Sequence, residues 1–109
     1  MGRTNYSKKV AVIYNPNSGK KRDVRDDIIR TLSQKQIPYQ IYETKGYMDG
    51  WKIAQTISAD DTSALIAVGG DGTLHEVVNG MMFRSDKKRI PIAFVPNGSG
   101  NDTCKSLGI

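Results

Sequence analysis

Four short apolar runs, rich in β-branched residues, alternate along the chain with segments whose apolar residues recur at helical spacing. The runs predict strands at 9–14, 39–43, 64–68 and 90–95. The amphipathic segments predict helices at 23–36, 51–59 and 73–82, with a further helix over 102–107. This alternation indicates an α/β fold in three layers, with a mainly parallel sheet and helices on both faces. Residues 1–8 are polar and are expected to form a flexible N-terminus.

Three of the four predicted strands end in a turn that contains glycine. These turns lie at 15–19, 69–72 and 96–100. The carboxyl ends of parallel strands share one rim of the sheet, and ligands of open α/β sheets bind beyond that rim. The clustering of glycine in these turns therefore predicts a ligand site at the carboxyl rim.

The central turn, Gly69-Gly-Asp-Gly72, joins a predicted strand directly to a predicted helix. Glycine has no Cβ, so the backbone N–H groups of such a turn can approach a ligand closely. The N-terminus of the following helix adds unpaired N–H donors and a partial positive charge, which together favour a phosphate. Asp71 is not needed for a turn, and it is predicted to hold Mg²⁺ on a nucleotide or to accept a hydroxyl proton.

The same stretch also has a purely structural interpretation. Thr73 and Glu76 match the Ser/Thr-x-x-Glu capping box, in which two side chains bond backbone N–H groups at the start of a helix. Glu76 is therefore predicted either as a cap or as a site residue. In such a helix Leu74, Val77 and Val78 are expected to pack inward, while His75 lies at the surface or packs against a neighbour.

The first glycine turn, with the sequence NPNSGK at 15–20, only superficially resembles a P-loop. That motif requires glycine at the position of Tyr14 and Ser or Thr after the lysine, where this chain has Lys21. The segment is consistent with a surface turn, or with ligand donors from Asn15, Ser18 and Gly19.

The third glycine turn, at 96–102, combines two glycines with a hydroxyl, an amide and a carboxylate after a strand. Asp102 also suits the cap of a final helix, because Asp and Asn are favoured caps. Taken alone, this turn is a weaker signal than the central one.

Charge and cysteine content narrow the class of protein. The formal net charge of +5 is compatible with polyphosphate, acidic lipid headgroups or nucleic acid. Nucleic acid is disfavoured because the basic residues are scattered and are not interleaved with aromatic residues that stack on bases. The single cysteine, Cys104, cannot form an internal disulfide, and no apolar run is long enough to span a bilayer. A cytoplasmic protein, peripheral at a membrane surface, is the expectation.

The three turns together resemble the diacylglycerol kinase catalytic domain family, which includes sphingosine and ceramide kinases and bacterial lipid kinases. The matching motifs are Asn-Pro-x-Ser-Gly at 15–19, Gly-Gly-Asp-Gly-Thr-x-x-Glu-Val-x-Asn-Gly at 69–80 and Pro-x-Gly-Ser-Gly-Asn-Asp at 96–102. The resemblance covers residues 9–109 and implies a Rossmann-like nucleotide-binding lobe. It also implies a larger β-sandwich lobe after residue 109, absent from this sequence, with ATP in the cleft between the two lobes.

The resemblance implies roles for individual residues. Asp71 and Asp102 would be catalytic, and Asp71 would also hold the Mg²⁺ of Mg-ATP. The implied nucleotide contacts are Asn15, Ser18, Gly19, Thr44, Gly69, Gly70, Asp71, Gly72, Thr73, Leu74, His75, Glu76, Gly98, Ser99 and Gly100. ATP and a lipid presented at a membrane surface would be the partners, and the pair Asn101-Asp102 favours a diacylglycerol-like acceptor over sphingosine.

Two other functions remain as alternatives. One is another kinase that shares Gly-Gly-Asp-Gly, such as NAD kinase or phosphofructokinase, although the turns at 15–19 and 96–102 differ from those families. The other is a nucleotide-binding or regulatory module that never transfers phosphate.

Overall fold

The computed structural model of the chain describes residues 8–16 and 22–96. Along the chain the elements are β1 (Lys9–Tyr14), α1 (Arg22–Gln34), β2 (Tyr39–Glu43), α2 (Asp49–Thr56), β3 (Thr62–Gly69), α3 (Asp71–Met82) and β4 (Ile92–Pro96). The strands form one parallel sheet in the order β2-β1-β3-β4. The predicted three-layer α/β fold is confirmed.

The two faces of the sheet carry separate cores. The face towards α1 buries Val12, Ile66 and Val68 against Val24, Ile28 and Leu32 of that helix. The opposite face buries Ala11, Ile13, Leu65 and Ala67 against residues of α2 and α3, among them Ala54, Val77 and Met81. Successive strand residues alternate between the cores because side chains of a strand point to opposite faces. Burial on both faces explains why the β1 and β3 sequences read as continuous apolar runs.

The direction of the chain along the sheet reverses once, and this reversal sets the helix positions. From β1 the chain moves outward to β2, and from β2 it returns past β1 to β3 and then to β4. Because crossovers share one hand, a reversal of direction places the connecting helix on the other face. Hence α1 lies on one face, and α2 and α3 lie on the other. The reversal leaves a switch point between β1 and β3, which is where open sheets bind ligands.

Several boundaries differ from the sequence-based expectation. Helix α2 begins at Asp49, two residues earlier than predicted, and ends at Thr56 rather than 59. The early start is stabilised by the Asp49 carboxylate, which accepts hydrogen bonds from the N–H groups of Lys45 (2.6 Å) and Gly46 (3.2 Å). Strand β4 begins at Ile92 rather than 90, and the buried Ile90 packs in the α2–α3 core.

Helices α2 and α3 lie in close contact through glycine. A Cβ placed on Gly80 would stand 2.2 Å from the carbonyl oxygen of Trp51, so the two helix backbones touch at this point. The C-terminal side of α2 is held by the buried Arg84, whose Nη1 donates to the carbonyl of Ala54 at 2.9 Å. In the described ranges, no helix is long and apolar enough to cross a membrane.

Candidate functional site

The carboxyl ends of the four strands meet in one row across the sheet. Glu43, Tyr14, Val68 and Val95 pair side by side in the register of the three strand pairs. The next residue of each strand therefore reaches the rim in the same row; these residues are Thr44, Asn15, Gly69 and Pro96. Three of the four, Asn15, Thr44 and Gly69, are predicted as ligand contacts from separate parts of the sequence, and the sheet brings them together.

Hydrogen bonds fix this rim across the switch point. The Asn15 N–H donates to the Val68 carbonyl at 3.1 Å, which extends the β1–β3 ladder by one residue. The Asn15 side-chain amide donates to the Thr73 hydroxyl at 3.3 Å. On the other side, the Thr44 N–H donates to the Tyr14 carbonyl at 2.9 Å. The ends of β1, β2 and β3 are thereby joined to the first turn of α3.

Helix α3 starts at Asp71 rather than at 73, and the predicted capping box is wrong. Gly70 is the N-cap, in an extended conformation, and no side chain of the described residues caps the helix. Thr73 instead lies buried in the first turn, where its hydroxyl accepts from Asn15. Within the described part of the chain, the N–H groups of Asp71 and Gly72 have no acceptor. Both residues are exposed.

The Glu76 carboxylate accepts hydrogen bonds from the N-terminus of α2. It accepts hydrogen bonds from the N–H groups of Met48 at 3.2 Å and Gly50 at 3.1 Å. Met48 is the N-cap of α2 and has left-handed backbone angles (φ 70°), without a side-chain cap of its own. Glu76 is thus a cap, but of a neighbouring helix. Sequence reasoning singled out no partner for it in this loop, and the only signals there were the two glycines at 46 and 50.

Nothing in the described part of the chain requires glycine at position 72. No described atom lies within 4 Å of a Cβ placed there, and its φ is not in the left-handed region. A glycine in a helix is less favourable than alanine by about 1 kcal/mol. The space beside Gly72 lies next to the N–H groups of Asp71 and Gly72, which have no described acceptor. A ligand can therefore approach the backbone closely at this surface.

The remaining side chains of α3 divide by exposure. Asp71 and His75 are exposed, Leu74 is half-buried and Val77 is fully buried. Val78 is 40% exposed, so the prediction that it packs inward is wrong. No residue that the structure describes forms a hydrogen bond or an ion pair with the Asp71 carboxylate.

Six predicted site residues lie outside the described residues. They are Ser18, Gly19, Gly98, Ser99, Gly100 and Asp102. The predicted N-terminal segment lies outside as well, except for residue 8, and so does the predicted helix at 102–107. Over 8–16 and 22–96, no group of three or more His, Cys, Asp or Glu side chains could hold a metal ion.

The groups with shifted pKa lie at the opposite end of the sheet. Hydrogen bonds from the Arg84 side chain, joined by the Lys88 N–H, lower the pKa of Asp86 to about 2. The hydrogen bond and charge of Lys88 lower the pKa of Asp60, and those of Asp60 raise the pKa of Lys88, across 2.8 Å. These pairs stabilise the loops before β3 and β4.

Comparisons with known proteins show which family the chain resembles in sequence and in fold. A family model described as the diacylglycerol kinase catalytic domain matches residues 9–109. Sphingosine kinase 1 of Arabidopsis thaliana is 38% identical over 106 residues, which cover 92% of this chain and 22% of that protein. A diacylglycerol kinase of Staphylococcus aureus is 35% identical over 105 residues, covering 94% of this chain and 32% of that protein.

The fold also matches a solved structure. The crystal structure of a diacylglycerol kinase from Bacillus anthracis superimposes with a TM-score of 0.72 at 30% identity, covering 97% of this chain and 39% of that one. The chain therefore spans well under half the length of these relatives.

Proposed function

Because the chain belongs to the diacylglycerol kinase catalytic domain family, we propose that it is the ATP-binding lobe of a lipid kinase. The proposed reaction transfers the γ-phosphate of ATP to a lipid hydroxyl. The observation that carries this proposal is the α3 N-terminus: no described side chain caps it, its first two residues are exposed beside the switch point, and it lies inside the matched region.

The N–H groups of Asp71 and Gly72 are the proposed phosphate donors. They add to the partial positive charge at the start of α3, and together these favour an anion. The missing side chain at Gly72 leaves room for a phosphate to reach the backbone. Phosphoryl transfer relies mainly on positioning and on neutralising charge, and rigid backbone donors supply both.

Mg²⁺ would arrive with ATP and would neutralise charge on its β- and γ-phosphates. Mg²⁺ is typically held by one or two carboxylates together with substrate phosphates and water. A single exposed carboxylate at Asp71, beside the proposed phosphate donors, fits that requirement without a larger protein cluster. We assign Asp71 to the metal or to the acceptor hydroxyl, and Asp102 to the place where acceptor and ATP meet.

Asn15 and Thr44 are the proposed contacts on the other side of the switch point. The bond to Thr73 orients the side-chain amide of Asn15. Thr44 is 7% exposed and is held by its N–H to β1, so its position is defined by the sheet. We propose that Glu76 does not contact the nucleotide itself but positions the loop that begins at Thr44, through its bonds to Met48 and Gly50.

The acceptor is proposed to be diacylglycerol-like. A sphingoid base is the second candidate, and the 38% identity to a plant sphingosine kinase favours it. The pair Asn101-Asp102, which inclines the proposal towards diacylglycerol, lies outside the described residues.

Titration of the chain with Mg-ATP tests the nucleotide site. We expect binding that weakens about tenfold or more in Asp71→Asn, because a metal ligand is lost. Asp26→Asn, an exposed aspartate on α1, is the matched control and should bind as the wild type does. A folded wild-type chain that does not bind Mg-ATP would sink the proposal.

Phosphorylation assays with the full-length protein test the reaction. Diacylglycerol and sphingosine are offered separately, with NAD and a sugar phosphate as controls. Phosphorylation of a lipid alone supports the lipid kinase. Phosphorylation of NAD would favour the NAD kinase alternative, and ATP binding without any phosphoryl transfer would favour a regulatory module.

A further inference from the structure

The exposed apolar side chains of the described residues all belong to the α2–α3 layer and the loops beside it. Tyr47 is 88% exposed, Phe83 64%, Met82 58% and Val78 40%. Val78 and Met82 lie one turn apart on α3, and the Phe83 ring packs against Trp51 of α2 with ring centroids 6.2 Å apart. We call Trp51, Val78, Met82 and Phe83 the apolar ridge. Contiguous exposed apolar surface of this kind marks an interaction site.

Cations flank the apolar ridge. Lys52 is exposed on α2 beside Trp51, and the Arg89 guanidinium donates to the Met82 carbonyl at 3.5 Å. Arg89 also lines an open cavity of about 480 Å³ together with Lys8 and Lys88, against one carboxylate, Asp60. The surface at this end of the layer is therefore apolar in the middle and positive at its edges.

Acidic groups are nearly absent from the outward positions of the two helices. The exposed residues of α2 are Lys52 and Thr56. After Asp71, the exposed residues of α3 are Gly72, His75, Val78 and Met82. The Glu76 and Asp49 carboxylates are bonded to backbone N–H groups, and both residues are only partly exposed.

We propose that the apolar ridge and its flanking cations form a docking surface for an anionic phospholipid bilayer. Aromatic and aliphatic side chains insert at the headgroup boundary, and Lys and Arg beside them are attracted to anionic lipids. A second copy of the chain is a poorer occupant, because a symmetric contact would bring Lys52 and Arg89 of both copies together and the chain carries a net charge of +5.

The docking surface has a consequence for the proposed reaction, on which this step rests. One stripe along α3 is formed by exposed residues that follow one another at spacings of four, three and four positions. They are Asp71, His75, Val78 and Met82. The stripe extends ~16 Å from Met82 to Asp71 at 1.5 Å per residue. A bilayer lying along it places Asp71 at the lipid surface, where a lipid hydroxyl is found.

Vesicle co-sedimentation tests the docking surface. The chain is mixed with vesicles of phosphatidylglycerol and phosphatidylcholine, or of phosphatidylcholine alone. Met82→Ser/Phe83→Ser removes two exposed apolar side chains of the ridge, and Lys52→Glu/Arg89→Glu reverses the flanking charge. Arg30→Glu/Lys35→Glu is the matched control, since it changes the net charge equally on α1 and in the turn directly after it, across the sheet. Circular dichroism and thermal unfolding confirm that each variant is folded.

We expect the wild type to prefer the anionic vesicles, and both ridge variants to bind them about tenfold or more weakly. The α1 control should stay within about twofold of the wild type. The proposal is overturned if the folded wild type ignores anionic vesicles, if either ridge variant binds as well as the wild type, or if the α1 control loses as much. It is also overturned if the wild type is a dimer that Met82→Ser/Phe83→Ser converts to a monomer.

Mg-ATP titration of the same samples separates this proposal from the proposed function. ATP binding without vesicle binding overturns the docking surface and leaves the nucleotide lobe standing. Vesicle binding without ATP binding overturns the nucleotide lobe and leaves the docking surface standing. In that case only the argument that the bilayer brings a lipid hydroxyl to Asp71 is lost.

Discussion

The Glu76 carboxylate of α3 caps α2 by accepting a hydrogen bond from the Gly50 N–H at 3.1 Å. A second bond comes from the Met48 N–H, the N-cap position of α2. A Cβ on Gly50 would lie only 3.0 Å from Glu76 Oε1, so the glycine is part of the same contact. The loop that ends at this cap begins at Thr44, and Glu76 therefore connects the first turns of α3 to the end of β2.

Replacing Glu76 should weaken both the fold and the proposed nucleotide site. Glu76→Ala leaves two half-buried N–H groups without an acceptor, and we expect a loss of about 1–3 kcal/mol in the free energy of unfolding. Glu76→Gln should also destabilise, because its amide offers one acceptor oxygen for two donors. Urea unfolding and Mg-ATP titration measure the two effects.

Glu43→Gln is the control for this change, since Glu43 is exposed at the same rim. It should shift stability by no more than about 0.5 kcal/mol. Equal stability of Glu76→Gln and the wild type would contradict the capping role.

Gly80→Ala should destabilise the protein, although alanine is the better helix former. The new Cβ would meet the Trp51 carbonyl oxygen at 2.2 Å and its carbon at 2.9 Å, both backbone atoms that cannot rotate away. We expect a loss of about 1–3 kcal/mol from overpacking. Gly46→Ala, where no described atom lies within 4 Å of the added Cβ, is the comparison and should cost far less. A Gly80→Ala chain as stable as the wild type would show that α2 and α3 separate easily.

Gly72→Ala should separate folding from ligand binding. The position is helical and open, so alanine is expected to leave stability unchanged or to raise it by up to about 1 kcal/mol. The same methyl group stands where we propose that a phosphate approaches the backbone, and Mg-ATP affinity should fall about tenfold or more. Thermal unfolding and ATP titration of one sample give both values. Unchanged ATP affinity would place the phosphates elsewhere.

The Arg84–Asp86 pair should make stability depend on acid pH. The Asp86 pKa is about 2 in the folded chain against an ordinary 3.8, so the ionised form stabilises the fold at pH values above 3.8. That contribution is lost as the pH falls from 3.8 towards about 2, because the unfolded chain takes up the proton first. Asp86→Asn should therefore unfold at a lower temperature than the wild type at pH 7, and the difference should shrink towards pH 2.

Asp61→Asn serves as the reference in this series, since no described residue pairs with that exposed side chain. It should follow the wild type at each pH. A constant difference between Asp86→Asn and the wild type across this range would show that the ion pair does not titrate as described.

The fold was largely predictable because its signals are local. Buried parallel strands such as β1 read as unbroken apolar runs, and α1 shows its inward face in Val24, Ile28 and Leu32. Element boundaries were less certain where a side chain decides them. The start of α2 depends on Asp49 bonding to the N–H groups of Lys45 and Gly46, which no periodicity records.

The site was predictable only in part, because a sequence motif does not specify the hydrogen-bond partners of its side chains. A shared rim for the turns at 15–19, 69–72 and 96–100 followed from a parallel sheet, whereas strand order and the switch point did not. The sequence offered Thr73 and Glu76 as each other's partners in a capping box. In the fold Thr73 bonds Asn15, 58 residues away, and Glu76 bonds Gly50, 26 residues away. Exposure of Val78 was missed because its spacing is also compatible with the inward face of α3.

Helix α2 is fastened to its neighbour at three points: by Glu76 at its start, by Gly80 against Trp51, and by Arg84 on Ala54. We expect a pair of helices joined in this way to move as one rigid body. A rotation of α3 about its N-terminal end would then carry the loop that follows Thr44 with it, through the bonds from Met48 and Gly50 to Glu76. In the proposed nucleotide site, a ligand that shifts the first turn of α3 is therefore expected to shift the end of β2 as well.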